Sequence, residues 1–181
     1  MKKITLTVFF ILLLFPFQAS ANEKALKDDI NAKVTQLASL LRDSYAQEYP
    51  EFRGIQILKN DNEDLIVATA VFTIEGFAGG NNYTQFLAVF SKLSGESEGH
   101  PKRLSLVDFM AVGGKGERII EFKQIKINKM KNEILITVPT LEYGPNDAMC
   151  CPSIKSKAQF TIEPYEGNRL KEIKQGKRAK K

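Results

Sequence analysis

Two adjacent residues, Cys150 and Cys151, are the only cysteines in this 181-residue chain, and sulfur chemistry is the most distinctive chemistry the sequence offers. Consecutive Cα atoms across a trans peptide lie about 3.8 Å apart, whereas ordinary disulfides span about 4.4–6.8 Å. A bridge between neighbours therefore calls for a tight turn with a distorted or cis peptide, and such a bond is easier to reduce than a relaxed one. Pro152 biases Cys151 toward an extended conformation and leads the chain out of the turn. Four uses compete: a rigid structural turn, a binding element whose flat sulfur ring touches a ligand, a redox switch, and a reduced soft-metal site with Met149 or an intermolecular bridge. Thioredoxin-type chemistry is disfavoured, because no C-x-x-C stands at a helix start.

Other reactive side chains are sparse. His100 is the single histidine; it stands before Pro101 in a polar stretch and reads as a solvated loop residue. Glu75, Asp108, Glu121, Glu142 and Asp147 contain the makings of a carboxylate pair, but their spacing does not say which of them meet. The segment Gly76-Phe-Ala-Gly-Gly-Asn-Asn-Tyr83 joins two strong strand patterns, and its glycines and asparagines tolerate positive φ, as a hairpin loop requires. Neither GxGxxG nor GxxxxGK can be read there or at Gly113-Gly114-Lys115-Gly116, so a phosphate loop is disfavoured. No metal set, cofactor motif or catalytic constellation is legible.

The elements that must position these residues follow from periodicity. From Lys24 to Tyr49 the apolar residues Leu26, Ile30, Val34, Leu37, Leu41 and Tyr45 recur at helical spacing, and Pro50 closes the segment. Acidic residues on its polar face argue for packing on a sheet and against a membrane surface. Beyond Pro50, short β-branched and aromatic runs predict strands at Gly54–Lys59, Asp64–Glu75, Tyr83–Leu93, Arg103–Val112, Glu117–Ile127, Glu133–Val138, Ser156–Ile162 and, weakly, Arg169–Ile173. Short connections make the sheet mainly antiparallel and meander-like. The nearly continuous apolar run from Asp64 to Phe72 marks the central strand, and the polar stretch Ser94–Lys102 is a loop.

Lys2 and Lys3, the apolar run Ile4–Phe17 and the small residues Ala19-Ser20-Ala21 read as a secretory signal peptide with cleavage before Asn22. The apolar run is shorter than a membrane span and is interrupted by Pro16, so no stable span is expected after cleavage. The chain carries 26 basic and 21 acidic residues. Five of the basic residues fall in the final stretch Lys174–Lys181, which is expected to be a disordered tail. Without that tail and Lys2 and Lys3, the body is slightly acidic, which gives no footprint for nucleic acid.

The segment Tyr143-Gly-Pro-Asn-Asp-Ala-Met-Cys-Cys-Pro-Ser153 resembles a D-x-M-C-C-P-S motif near the C-terminus of small exported bacterial proteins and lipoproteins, most of them of unknown function. The segment Ala70–Phe90 is similar to the strand, glycine-rich turn and strand of the same group. The resemblance implies an exported α+β domain with paired adjacent cysteines, and it carries no activity with it. The chain departs from the lipoprotein members in lacking a lipobox Cys.

The reading is thus a single α+β domain over residues 22–173, with an amphipathic helix packed on an antiparallel sheet. It is expected in the bacterial periplasm or secreted, as a module binding an envelope protein or polymer. The alternative is a thiol-disulfide or redox-sensing protein acting through Cys150 and Cys151. The candidate binding turn comprises Tyr143, Asp147, Met149, Pro152 and Ser153 beside the cysteines, together with Gly79, Gly80, Asn81 and Asn82.

Overall fold

The helical spacing begun at Leu26 is realised in α1, Phe15–Leu41. Leu26, Ile30, Val34, Leu37 and Ala38 are buried along one face of it. The computed structural model describes residues 15–59, 65–93, 103–163 and 168–174. His100, Asp64, the stretch Ser94–Lys102 and the residues beyond Lys174 lie outside these residues, as do residues 1–14, which hold most of the expected signal peptide. The predicted cleavage point before Asn22 falls within the backbone span of α1. Among the described residues no helix is long and apolar enough to cross a membrane.

The helix ends at Leu41 and not at Tyr49. Asp43 supplies the reason: its carboxylate accepts hydrogen bonds from the backbone N–H groups of Tyr45 (2.9 Å), Ala46 (2.8 Å) and Ala78 (2.7 Å). A short acidic side chain that satisfies following N–H groups offers the backbone an alternative to the helix. Tyr45, expected on the buried helical face, is instead 68% exposed. The chain then enters a two-residue strand, β1 (Gln47–Glu48).

Nine further strands follow: β2 (Gly54–Lys59), β3 (Leu65–Glu75), β4 (Tyr83–Leu93), β5 (Ser105–Gly114), β6 (Arg118–Ile120), β7 (Lys126–Lys129), β8 (Ile134–Glu142), β9 (Ile154–Ile162) and β10 (Lys171–Glu172). All belong to one sheet of order β1-β3-β4-β5-β6-β8-β9-β10, with β2 also on β3 and β7 also on β8. Every pairing is antiparallel. One helix on a mainly antiparallel sheet is an α+β arrangement. The run expected from Glu117 to Ile127 is broken by a 3-10 turn at Phe122–Gln124 into β6 and β7. Both pair with the same edge of β8, and Pro139 falls between their registers, where a missing N–H costs least.

The strand β3, expected to be central, stands instead second in the sheet order, holding the edge strands β1 and β2 on one side and β4 on the other. Its even-numbered residues Ala68, Ala70, Phe72 and Ile74 pack in a core with α1, Ala88 and Phe90. Its odd-numbered residues Leu65, Val67 and Val71 join Leu87, Val89, Ile136, Val138, Phe160 and Ile162 in a second core. Both faces are buried, which is why this strand reads as continuously apolar. The second core unites inward side chains from β3 through β9, so the sheet curls over itself on the side away from the helix. Where β2 meets the 3-10 turn, a Cβ on Gly54 would stand 1.8 Å from the carbonyl oxygen of Phe122, so only glycine permits this approach.

Two buried polar devices fix the ends of the fold. The amide of Gln85 accepts from the Ile120 N–H (2.6 Å) and donates to the Ile120 carbonyl (3.2 Å), pinning β6 across the inner core. The guanidinium of Arg53 grips the Glu48 carboxylate at 2.5 and 2.6 Å and also donates to the Asn31 carbonyl, its Oδ1 and the Thr35 hydroxyl. This cluster ties β1 to the helix.

Candidate functional site

The predicted Cys–Cys segment is the connection between β8 and β9. Asp147 organises it: the carboxylate accepts from the backbone N–H of Gly144 (2.7 Å) and Ser153 (2.8 Å) and from the Ser153 hydroxyl (2.9 Å). The Gly144 amide, followed by the Ser153 hydroxyl and amide, holds the Asp147 carboxyl below the usual carboxylate range. The Cys151 N–H bonds to the Ala148 carbonyl, so the residues between the two ends of the loop form a turn of their own. Pro152 is buried, whereas Met149, Cys150, Cys151 and Ser153 are exposed. Cys150 and Cys151 are joined to each other, with Cα atoms 3.8 Å apart. No peptide bond among the described residues is cis, so the cis alternative expected from the sequence does not occur.

The glycine-rich segment is the connection between β3 and β4. Its positive φ angles fall at Gly76 (91°), Ala78 (56°) and Gly79 (70°) and not at Asn81 or Asn82. The Asp43 carboxylate holds Ala78 in place through its N–H. The Gly76 N–H bonds to the Asn82 carbonyl (2.8 Å), and the Gly80 N–H bonds to the Phe77 carbonyl (3.1 Å).

These two segments meet at one end of the sheet, joined by the β5–β6 turn between them. The Lys115 ammonium donates to Asn81 Oδ1, and the Lys115 N–H donates to the Tyr83 carbonyl. Next to it, the Gly116 N–H donates to the Tyr143 hydroxyl (3.3 Å), which in turn donates to the Met149 carbonyl. Tyr83 stands beside Tyr143 and Glu75. Burial, and then these two neighbours, push its phenol above its ordinary value, and its buried hydroxyl has no hydrogen-bond partner. No family model, no curated protein and no solved structure matches this chain. The site must therefore be read from its own chemistry.

Residues outside the predicted set complete it. Tyr45, Gln47 and Tyr49 alternate on one side of the β1 segment, while on the other Ala46 is buried and the Glu48 side chain is covered by its pairing with Arg53. Gln47 pairs with Glu75, and Glu75 pairs with Tyr83, so the three side chains stand in a row across β1, β3 and β4. With Gly76, Gly80, Asn81 and Asn82 they line a cavity of about 370 Å³. No apolar alternation in Tyr45-Ala-Gln-Glu-Tyr49 marks this strand, and the helical spacing carried the expected helix on to Tyr49.

The remaining predicted carboxylates do not assemble. Asp108 accepts from the Leu170 and Phe109 N–H groups, and Glu142 accepts from the Thr140 hydroxyl. Among the described residues no cluster of three His, Cys, Asp or Glu side chains is placed to hold a metal.

Proposed function

We propose that the chain is an exported binding module that engages its partner with the sheet end built from Gly76–Tyr83, Lys115–Glu117 and Tyr143–Ser153. The observation that carries this reading is the hydroxyl of Tyr143, which links the exposed Cys–Cys loop to the neighbouring turn. The loops are held by their own hydrogen bonds, yet they leave Met149, Cys150, Cys151, Asn81 and Asn82 facing solvent. Such preorganisation lowers the ordering cost of binding. In this reading the disulfide shapes the loop, the leader directs the chain to the periplasm, and the likeness to the D-x-M-C-C-P-S group belongs to the same proposal.

A photo-crosslinking residue placed at Asn82 or Met149 in growing cells should give the same adduct from both positions. The exposed helix position Leu40 (82% exposed) should give none. Equal labelling from Leu40, or no adduct from the sheet end, refutes the assignment. A second reading rests on the exposure of both cysteines: a thiol-disulfide protein whose bond reagents can reach. It gains if a Cys150→Ser variant traps a mixed disulfide with another envelope protein.

A further inference from the structure

We infer that the cavity between β1 and the β3–β4 turn is a saccharide site, taking a short neutral stretch of a glycan chain. The inference rests on the binding-module reading and gives it a ligand class. Three phenol rings, three carboxamides and one carboxylate line the cavity, with no aliphatic side chain and no cation among them. An apolar ligand would find no aliphatic wall. A phosphate or carboxylate ligand would meet the Glu75 carboxylate, and the Lys115 ammonium beside the cavity is already engaged by Asn81 Oδ1. A neutral, hydroxyl-rich ligand suits both the rings and the amides.

The physical fit is specific. A pyranose ring has an apolar C–H face that packs on an aromatic ring, and equatorial hydroxyls that need paired donors and acceptors. Tyrosine offers both an apolar body and a polar tip. The carboxamides of Gln47 and Asn82 each present a donor and an acceptor side by side, Asn81 offers its NH2 donors while its Oδ1 accepts from Lys115, and the Glu75 carboxylate accepts from two hydroxyls. Tyr45 is 68% exposed, while its position is fixed by the hydrogen bonds that Asp43 makes to its N–H and to Ala78. Its backbone is therefore anchored where the ring reaches the cavity. A Cβ built on Gly79 would lie 3.8 Å from the Tyr45 ring, so the glycine turn backs that ring. On the far side, the row Gln47–Glu75–Tyr83 crosses three strands, spaced about 4.8 Å apart. That row is about as long as two sugar rings, and the cavity volume of about 370 Å³ is of the same scale.

The chain contains no Trp and five Tyr, three of which line this cavity, so tyrosine emission reports on it directly. The full chain without its leader should be titrated with N-acetylglucosamine tetramer, cellotetraose and a neutral alanine tetrapeptide. The expected result is a saturable emission change with at least one tetrasaccharide and none with the tetrapeptide. Tyr45→Ala should weaken binding tenfold or more with an unchanged melting temperature, Tyr45→Phe should stay within about threefold, and Leu40→Ala on the exposed face of the helix should be neutral. A response to the tetrapeptide alone, or no saturable response to either tetrasaccharide, overturns the inference. Loss on Met149→Ala without loss on Tyr45→Ala also overturns it, while leaving the sheet end as a binding surface. Failure here alongside positive crosslinking from Asn82 and Met149 removes the ligand class and keeps the module.

Discussion

Replacing Arg53 with Met removes one half of a buried ion pair and tests how the strand that lines the cavity is anchored. The Arg53 and Glu48 side chains are only 4% and 7% exposed. Arg53 also satisfies the Asn31 carbonyl, the Asn31 side chain and the Thr35 hydroxyl. The variant leaves the Glu48 carboxylate buried without its cation. Loss of one member of such a pair costs about 3–5 kcal/mol. For a domain of this size each kcal/mol moves the melting temperature by about 2–4 °C, so a fall of roughly 6–20 °C is expected. Urea unfolding followed by far-UV circular dichroism gives the free-energy difference. The double variant Arg53→Met with Glu48→Leu should recover most of the loss, because an apolar pair of similar volume replaces the ion pair without stranding a charge. Lys27→Met breaks the exposed Glu23–Lys27 pair, 49% exposed on both sides, and should leave the midpoint unchanged. A single-variant loss below about 1 kcal/mol, or a double variant no more stable than the single, refutes the reasoning.

Other consequences are as direct. The double variant Cys150→Ser with Cys151→Ser should keep a near-native urea midpoint, since a bridge between neighbours closes almost no loop; outright unfolding would contradict its local role. Gly54→Ala should destabilise by about 3 kcal/mol, at the upper end for overpacking, because the new Cβ meets the Phe122 carbonyl; a neutral result in thermal melts would show that the β2 contact is loose. Asp147 and Asp43 both have carboxyls held below their ordinary values by backbone N–H donors. Their stabilisation is therefore complete above the unfolded carboxylate range, near pH 4, and is lost as pH falls through the lower folded values. Amide exchange of the Gly144, Ser153 and Ala78 N–H groups should accelerate, relative to core amides, below about pH 4, and Asp147→Asn should abolish the step at Gly144 and Ser153. Intact-mass measurement of periplasmic protein should give a chain beginning at Asn22, and retention of Met1 there would refute export with cleavage.

Much of this architecture was legible because local pattern and tertiary environment agree. Leu26 to Leu37 repeat at helical spacing and are buried on the sheet. Gly54–Lys59 and Tyr83–Leu93 match the observed strands at both ends. The apolar run leading to Phe72 is covered on both faces, although its strand stands next to the sheet edge and not at its centre. What stayed hidden depends on contacts far apart in sequence. The helix stops at Leu41 because Asp43 binds the N–H of Ala78, 35 residues away, and no local periodicity records that bond. The same bond frees Tyr45 from a core position and turns it toward the cavity. The run from Glu117 to Ile127 looks like one strand by composition, yet Gln85 fixes Ile120 in β6 and the Phe122–Gln124 turn separates it from β7. Of the site, Cys150, Cys151 and the glycine turn were visible as residue types. Their junction through Lys115, Gly116 and Tyr143 required the fold, and so did the contribution of Tyr45, Gln47 and Tyr49.

The central claim is that one end of the sheet is a saccharide-binding surface, and an amide NMR titration of the isotope-labelled protein with N-acetylglucosamine tetramer and with cellotetraose tests it most directly. Shift changes should concentrate at Tyr45–Tyr49, Glu75–Tyr83 and Lys115–Glu117, with smaller changes across Tyr143–Ser153. A spectrum that moves with neither tetrasaccharide, or changes centred on Glu133, Arg169 and Lys171, which line a separate cavity, would contradict the account.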